Sequence, residues 1–142
     1  MHDKEKIMII IEDIEMYLKK LENMKIKSQE DLKNDLNFYA SSMLIFSAIN
    51  RIIDLGDEVV KEEHLGYPTE IKEIFVLLLN KKIINKAMET KLKDLIISRN
   101  KLAHRYGAIK TEDIFKIIKE IKIIKEFSDL VLRHIKKSFY LL

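Results

Sequence analysis

The sequence predicts an all-α fold, an antiparallel bundle of about five helices. Two observations carry this. Gly and Pro are scarce, with 3 and 1 in 142 residues, which suits few, long elements. Apolar residues make up 47% of the chain and recur every three to four positions over long stretches, the period of a helix with one buried face. A chain of this length and apolar content fits one domain spanning residues 1–142.

The first helix is expected from about Lys4 to Lys25, with Ile7, Ile10 or Ile11, Ile14, Tyr17 or Leu18, and Leu21 on one face. Ser28, followed by acidic Glu30 and Asp31, reads as the cap of a long second helix. Leu32, Leu36, Tyr39, Met43, Phe46, Ile49 and Ile53 carry that helix past Gly56. Gly66, Tyr67 and Pro68 are the strongest punctuation, and Thr69 can cap a short third helix containing Ile71, Ile74, Phe75 and Leu78. Asn85 caps a fourth helix through Leu92, Leu95 and Leu102, stopping near Gly107. Thr111, with Glu112 and Asp113, opens a fifth in which Ile114, Ile117 or Ile118, Ile121, Ile124 and Leu132 are buried.

The absence of Cys excludes disulfides, thiolate metal sites and a cysteine nucleophile. No signal peptide is recognisable, because acidic Glu12, Asp13 and Glu15 follow the apolar run Ile7–Ile11. The apolar stretch Ile74–Leu79 is far shorter than a membrane span of about 18 residues or more, so no membrane partner and a cytoplasmic location are expected. The net charge of +3 hides an asymmetry: residues 81–110 hold nine Lys and Arg against two acidic residues, a local +7, whereas residues 1–80 hold ten against sixteen. Such clustering suits a phosphate-bearing partner, RNA included, although a solvated lysine-rich face has the same signature.

One residue breaks the helical pattern. With Leu92 at zero and roughly 100° per residue, Leu95, Ile96, Leu102, Ala103 and Tyr106 fall within about 80° of it, and Arg99 lies near the centre of that face at roughly −20°. A polar residue at such a position marks a functional site or an interface; the plainer alternative is an arginine whose stem covers apolar surface. His104 lies roughly 140° from Arg99 on an ideal helix, whereas Asn100 and His104 are neighbours at i and i+4. A long Arg reach, a break near Gly107, or a second copy of the helix could join them.

The two residue types suit RNA cleavage by attack of the RNA's own 2′-hydroxyl on the adjacent phosphate. Imidazole titrates near working pH and can move the proton, and guanidinium matches the phosphate oxygens as charge builds in the transition state. Asn100 could bond a phosphate or orient the imidazole, and Tyr106 could position substrate or be modified through its hydroxyl. No cofactor motif is present: there is no phosphate loop, nucleophile elbow or pair of catalytic carboxylates. No metal site is expected, since Asp54, Asp57 and Glu58 lack a His at ligand spacing, although Glu62 and Glu63 adjoin His64. His2, His64 and His134 show no partner pattern.

The run Arg99-Asn100-Lys101-Leu102-Ala103-His104-Arg105-Tyr106 resembles the HEPN motif in its HepT form: Arg, four residues, His, one residue, Tyr. Ile53-Asp54-Leu55-Gly56 resembles the second-helix signature of that family, and Gly66-Tyr67-Pro68 with Phe75, Leu78 and Ile84 resembles its central region, so the likeness covers about residues 35–130. It implies a helical homodimer whose two motifs meet in one basic cleft. It further implies a metal-independent ribonuclease toxin of a type VII toxin–antitoxin system, paired with an MntA-like nucleotidyltransferase antitoxin that transfers AMP to the motif tyrosine, here Tyr106. Arg99 and His104 then take the catalytic roles, supported by Asn100, Lys101, Arg105 and Tyr106. The segment Ser42–Asn50 is largely apolar where many relatives carry charge, which leaves Arg51 and Asp54 as the charged second-helix candidates. A competing possibility is a non-catalytic helical module that binds a nucleotide or docks a nucleotidyltransferase through the same cleft.

Overall fold

The computed structural model describes residues 2–104 and 106–140. Among these described residues six α-helices follow one another: α1 (His2–Asn23), α2 (Asp35–Glu62), α3 (Ile71–Asn80), α4 (Lys86–His104), α5 (Thr111–Glu120) and α6 (Lys122–Tyr140). Short 3-10 turns cover Gln29–Lys33 and Tyr106–Ala108, and no strand occurs among the described residues. The long α2 is the axis of an all-helical bundle, packing against α1, α3, α4, α5 and α6. Its central half is therefore buried over a wide arc, through Ile45, Ala48, Ile49, Ile52, Leu55, Gly56, Val59 and Val60, where a surface helix would bury only a stripe. Phe75 of α3 and Phe127 of α6 meet edge to face, with centroids 5.8 Å apart.

The helix starts differ in detail from the expected ones. Ser28 opens the 3-10 turn, and Asp31 folds back to accept the backbone N–H groups of Lys27 (2.9 Å) and Ser28 (3.1 Å). The long helix begins later, with Asn34 as its cap, accepting from the Asn37 N–H at 3.1 Å. At α3 the order is reversed: the Glu73 carboxylate accepts from both the backbone N–H (2.8 Å) and the hydroxyl (3.0 Å) of Thr69. Asn85 caps α4 as expected, accepting from Met88 N–H at 2.8 Å. Thr111 lies inside α5, whose start is held by Asp113 accepting from Lys110 N–H at 2.8 Å. The expected fifth helix is two: tight bonds from Ile121 N–H to Ile118 (3.3 Å) and from Ile124 N–H to Ile121 (3.0 Å) separate α5 from α6.

The stops of α2 and α3 use no glycine. At the end of α2 the Leu65 N–H bonds the Val60 carbonyl (3.0 Å) and the His64 N–H bonds Lys61 (3.2 Å), with His64 in the left-handed region at φ 53°. After α3 the same pair of bonds joins Ile83 to Leu78 (3.0 Å) and Lys82 to Leu79 (2.9 Å), with Lys82 at φ 60°. Both are Schellman endings, and Leu65 and Ile83 pack on the core just beyond them. Gly56 serves close packing instead: a Cβ there would lie 2.8 Å from Ile74 Cγ2 and 3.2 Å from Phe75 Cε1 of α3.

Candidate functional site

On α4, Leu92, Leu95, Ile96 and Leu102 are buried as the periodicity requires, and Arg99 stands among them, partly buried. Its guanidinium crosses to α2. Nε–H donates to Asn50 Oδ1 at 2.8 Å, one Nη1–H donates to Asn100 Oδ1 at 2.9 Å, and Cζ lies 5.6 Å from the centre of the Phe46 ring, within cation–π range. Both hydrogen-bond partners are neutral amides, so they fix the plane of the guanidinium without cancelling its charge.

His104 is exposed on the last turn of α4 and has no hydrogen-bond partner among the described residues. Asn100 is turned to Arg99, not to the imidazole. The break in the helix, the 3-10 turn Tyr106–Ala108, comes after His104, so it does not swing that residue toward Arg99. Gly107 sits inside this turn and not as a left-handed stop. Lys101 reaches forward to Asp113 Oδ1 at 3.1 Å, and with the Lys110 backbone N–H, the larger influence, it holds the Asp113 carboxyl below its usual pKa. Arg105 and the side chain of Tyr106 lie outside the described residues.

A groove of ≈ 620 Å³ opens beside Arg99, lined by Tyr39, Met43, Phe46, Ser47 and Asn50 of α2 and by Leu102 and Ala103 of α4, with Ser42 beneath. It explains why Ala103, on the apolar face of α4, is exposed: the bundle is open there. The same side of α2 exposes Leu36 (77%), Tyr39 (55%) and Met43 (72%). Together with Phe46 and Asn50 these are spaced 3, 4, 3 and 4, the seam of a helix that expects another helix against it.

The second-helix candidates point elsewhere. Arg51 binds Asp13 of α1 through Nε (2.9 Å) and Nη2 (2.6 Å) and Asp54 through Nη1 (3.1 Å); the bond to Asp13 is the main reason its pKa is raised further. The residue of α2 that meets the motif is Asn50, a polar residue one helical step from Phe46 and Ser47. It lies on the 3-4 seam, a place whose meaning only the packing of α2 against α4 reveals. The basic segment is also partly compensated: the Glu89 side chain is 1% exposed and binds Lys86 (2.7 Å) and Lys93 (3.3 Å). Those bonds, Lys86 first, outweigh burial and hold Glu89 below the usual carboxylate pKa. His134, which shows no partner pattern in the sequence, binds Glu63. Among the described residues no three His, Asp or Glu side chains stand where they could share a metal ion, and no helix is long and apolar enough to cross a membrane.

A family model described as ribonuclease HepT-like matches residues 10–131. No curated protein matches the sequence. Among solved structures the chain is similar to the cytosolic protein of unknown function YutE from Bacillus subtilis, at 17% identity and TM-score 0.81 over 96% of this chain and 92% of that one. It is similar to a tri-AMPylated HEPN toxin from Shewanella oneidensis in complex with MNT antitoxin, at 16% identity and TM-score 0.82 over 89% and 96%. A toxin–antitoxin structure of MntA and HpeT gives 17% identity and TM-score 0.80 over 89% and 98%. At these identities the likeness speaks for the fold.

Proposed function

The chain belongs to the HepT-like ribonuclease family, and from that premise we propose that it is a metal-independent ribonuclease toxin whose chemistry is carried by Arg99 and His104. The observation that carries the assignment of Arg99 is its setting. A cation on the buried face of α4, held by two neutral amides, keeps its Nη2 hydrogens and one Nη1 hydrogen available to the oxygens of a phosphate. In the transition state those donors meet the charge that grows on the phosphorane. His104, exposed and unpaired among the described residues, is free to take the 2′-hydroxyl proton and return one to the leaving 5′-oxygen. That in-line attack leaves a 2′,3′-cyclic phosphate on one product.

Arg99 turns into α2 while His104 faces outward, so one chain does not bring them onto one phosphate. We place the working site between two copies of the chain, docked through the Leu36, Tyr39 and Met43 side of α2 and the open groove, each copy a single domain. Asn100, Lys101 and Arg105 then line the RNA path. By analogy with the tri-AMPylated HEPN toxin in complex with its antitoxin, the regulator is an MntA-like nucleotidyltransferase acting in the cytoplasm. The Tyr106 hydroxyl would attack the α-phosphate of ATP, releasing pyrophosphate, and the added nucleotide would fill and electrostatically oppose the cleft.

The test is cleavage of RNA by protein purified without any antitoxin, in EDTA. We expect cyclic-phosphate ends from the wild type and a loss of at least about 100-fold in Arg99→Ala and His104→Ala. Cleavage undiminished in His104→Ala would contradict the assignment, as would a nucleotide-binding protein that leaves RNA intact.

A further inference from the structure

We infer that Asn50, from α2, is the positioning residue that sets Arg99 for its work on phosphate, an inference that rests on the ribonuclease reading above. Arginine has four side-chain torsions and would sample many positions if left free; a guanidinium useful in a transition state must be held in one. Asn50 supplies that constraint, because its Oδ1 accepts from Nε at 2.8 Å, the nitrogen nearest the stem. Asn100 Oδ1 takes one Nη1 hydrogen at 2.9 Å, and Phe46 lies 5.6 Å from Cζ. The plane is thereby set from two helices, with the Nη2 edge left for the ligand. Asn50 also lines the groove beside Arg99, so it lies at the site's border and not deep in the core.

The choice of an amide is itself informative. A carboxylate at position 50 would hold Nε more strongly, yet it would neutralise the charge that phosphate needs. A residue present only to stabilise the α2–α4 contact would be improved by that change. The two roles therefore separate on Asn50→Ala, which removes the acceptor and leaves the charge of Arg99 intact. In a positioning role Asn50→Ala loses kcat beyond any change in its folded fraction; in a structural role it loses melting temperature and, once folded, keeps its kcat.

The experiment compares wild type, Arg99→Ala, Asn50→Ala and Asn50→Asp as full chains, measuring thermal unfolding, kcat and KM on a single-stranded RNA, and the salt dependence of KM. We expect Asn50→Ala to lower kcat about 10- to 100-fold through misplacement of Arg99, with the salt slope kept because the charge remains. Asn50→Asp should fall at least as far, without loss of melting temperature, and its log–log salt slope should drop by about 0.7, one phosphate contact on a single strand. Wild-type kcat in folded Asn50→Ala, beside an inactive Arg99→Ala, overturns the role of Asn50 alone. A wild type that cleaves no RNA overturns the ribonuclease reading and this inference with it. Should Asn50→Ala fail to fold, the near-isosteric Asn50→Leu, which removes the acceptor at similar volume, decides by the same reading of kcat.

Discussion

Arg99 shows what a single residue out of pattern can disclose and what it cannot. Its place on the buried face of α4 follows from helical spacing alone, because a guanidinium among leucines needs partners. Who the partners are depends on which helix crosses α4 at that level, and nothing local to the motif encodes that. Asn50, forty-nine residues earlier, therefore became visible only with the packing of α2. Arg51, its neighbour, attracted attention through its charge, yet that charge is satisfied by Asp13 of α1. Glu89 is the converse case: its buried carboxylate is invisible as such in a lysine-rich stretch. Because Lys86 and Lys93 depress its folded pKa below the ordinary 4.5, its contribution is complete above that value and is lost as pH falls through the folded one. Asp31 and Asp113, both lowered as well, act in the same sense. Glu89→Gln should cost on the order of 1 kcal/mol at neutral pH and flatten the acid limb of the unfolding profile below about pH 4.5. An acid limb as steep as that of the wild type would show that Glu89 does not contribute to it.

Helices were legible as periods, less so as boundaries. The apolar stripes predicted the buried faces of α1, α3 and α4, whereas on α2 the expected Leu36, Tyr39 and Met43 are exposed and the buried face runs through Ile45, Ile49, Ile52 and Val59; Asn85 and Asp113 do hold their helix starts. The stops were harder, because His64 and Lys82 take the left-handed positions where glycine would be expected, at φ 53° and 60°. They are tolerated where two backbone bonds and an apolar residue beyond the helix fix the ending. The bend at Ile121 was also hidden, since Ile118, Ile121 and Ile124 keep the helical period across it. Gly56 carries a structural meaning that spacing does not reveal: it allows α3 to approach α2. Gly56→Ala would gain about 1 kcal/mol of helix propensity but force Ile74 and Phe75 aside at a cost of about 1–3 kcal/mol. We expect a net loss on the order of 1 kcal/mol, read from the denaturation midpoint; a stabilised variant would mean that α3 yields without strain.

At the scale of the whole molecule, the motif and the shape point to the same incompleteness. Arg99 is turned inward to α2 and His104 outward, the groove beside Ala103 is open, and α2 exposes Leu36, Tyr39 and Met43 in a seam. The angular separation of Arg99 and His104 could be read from their spacing of five. The exposed seam could not, because the same apolar period would serve a fully buried helix equally well. Two copies related by a two-fold axis would cover the seam and supply Arg99 from one chain and His104 from the other.

That composite site is tested most directly by mixing. Arg99→Ala and His104→Ala chains, each inactive alone, are unfolded together, refolded and assayed on RNA. With random pairing half the dimers are mixed and each holds one intact site of two, so roughly a quarter of wild-type activity should return. If both variants fold and pair but the mixture stays as inactive as its components, the two residues do not act across two chains.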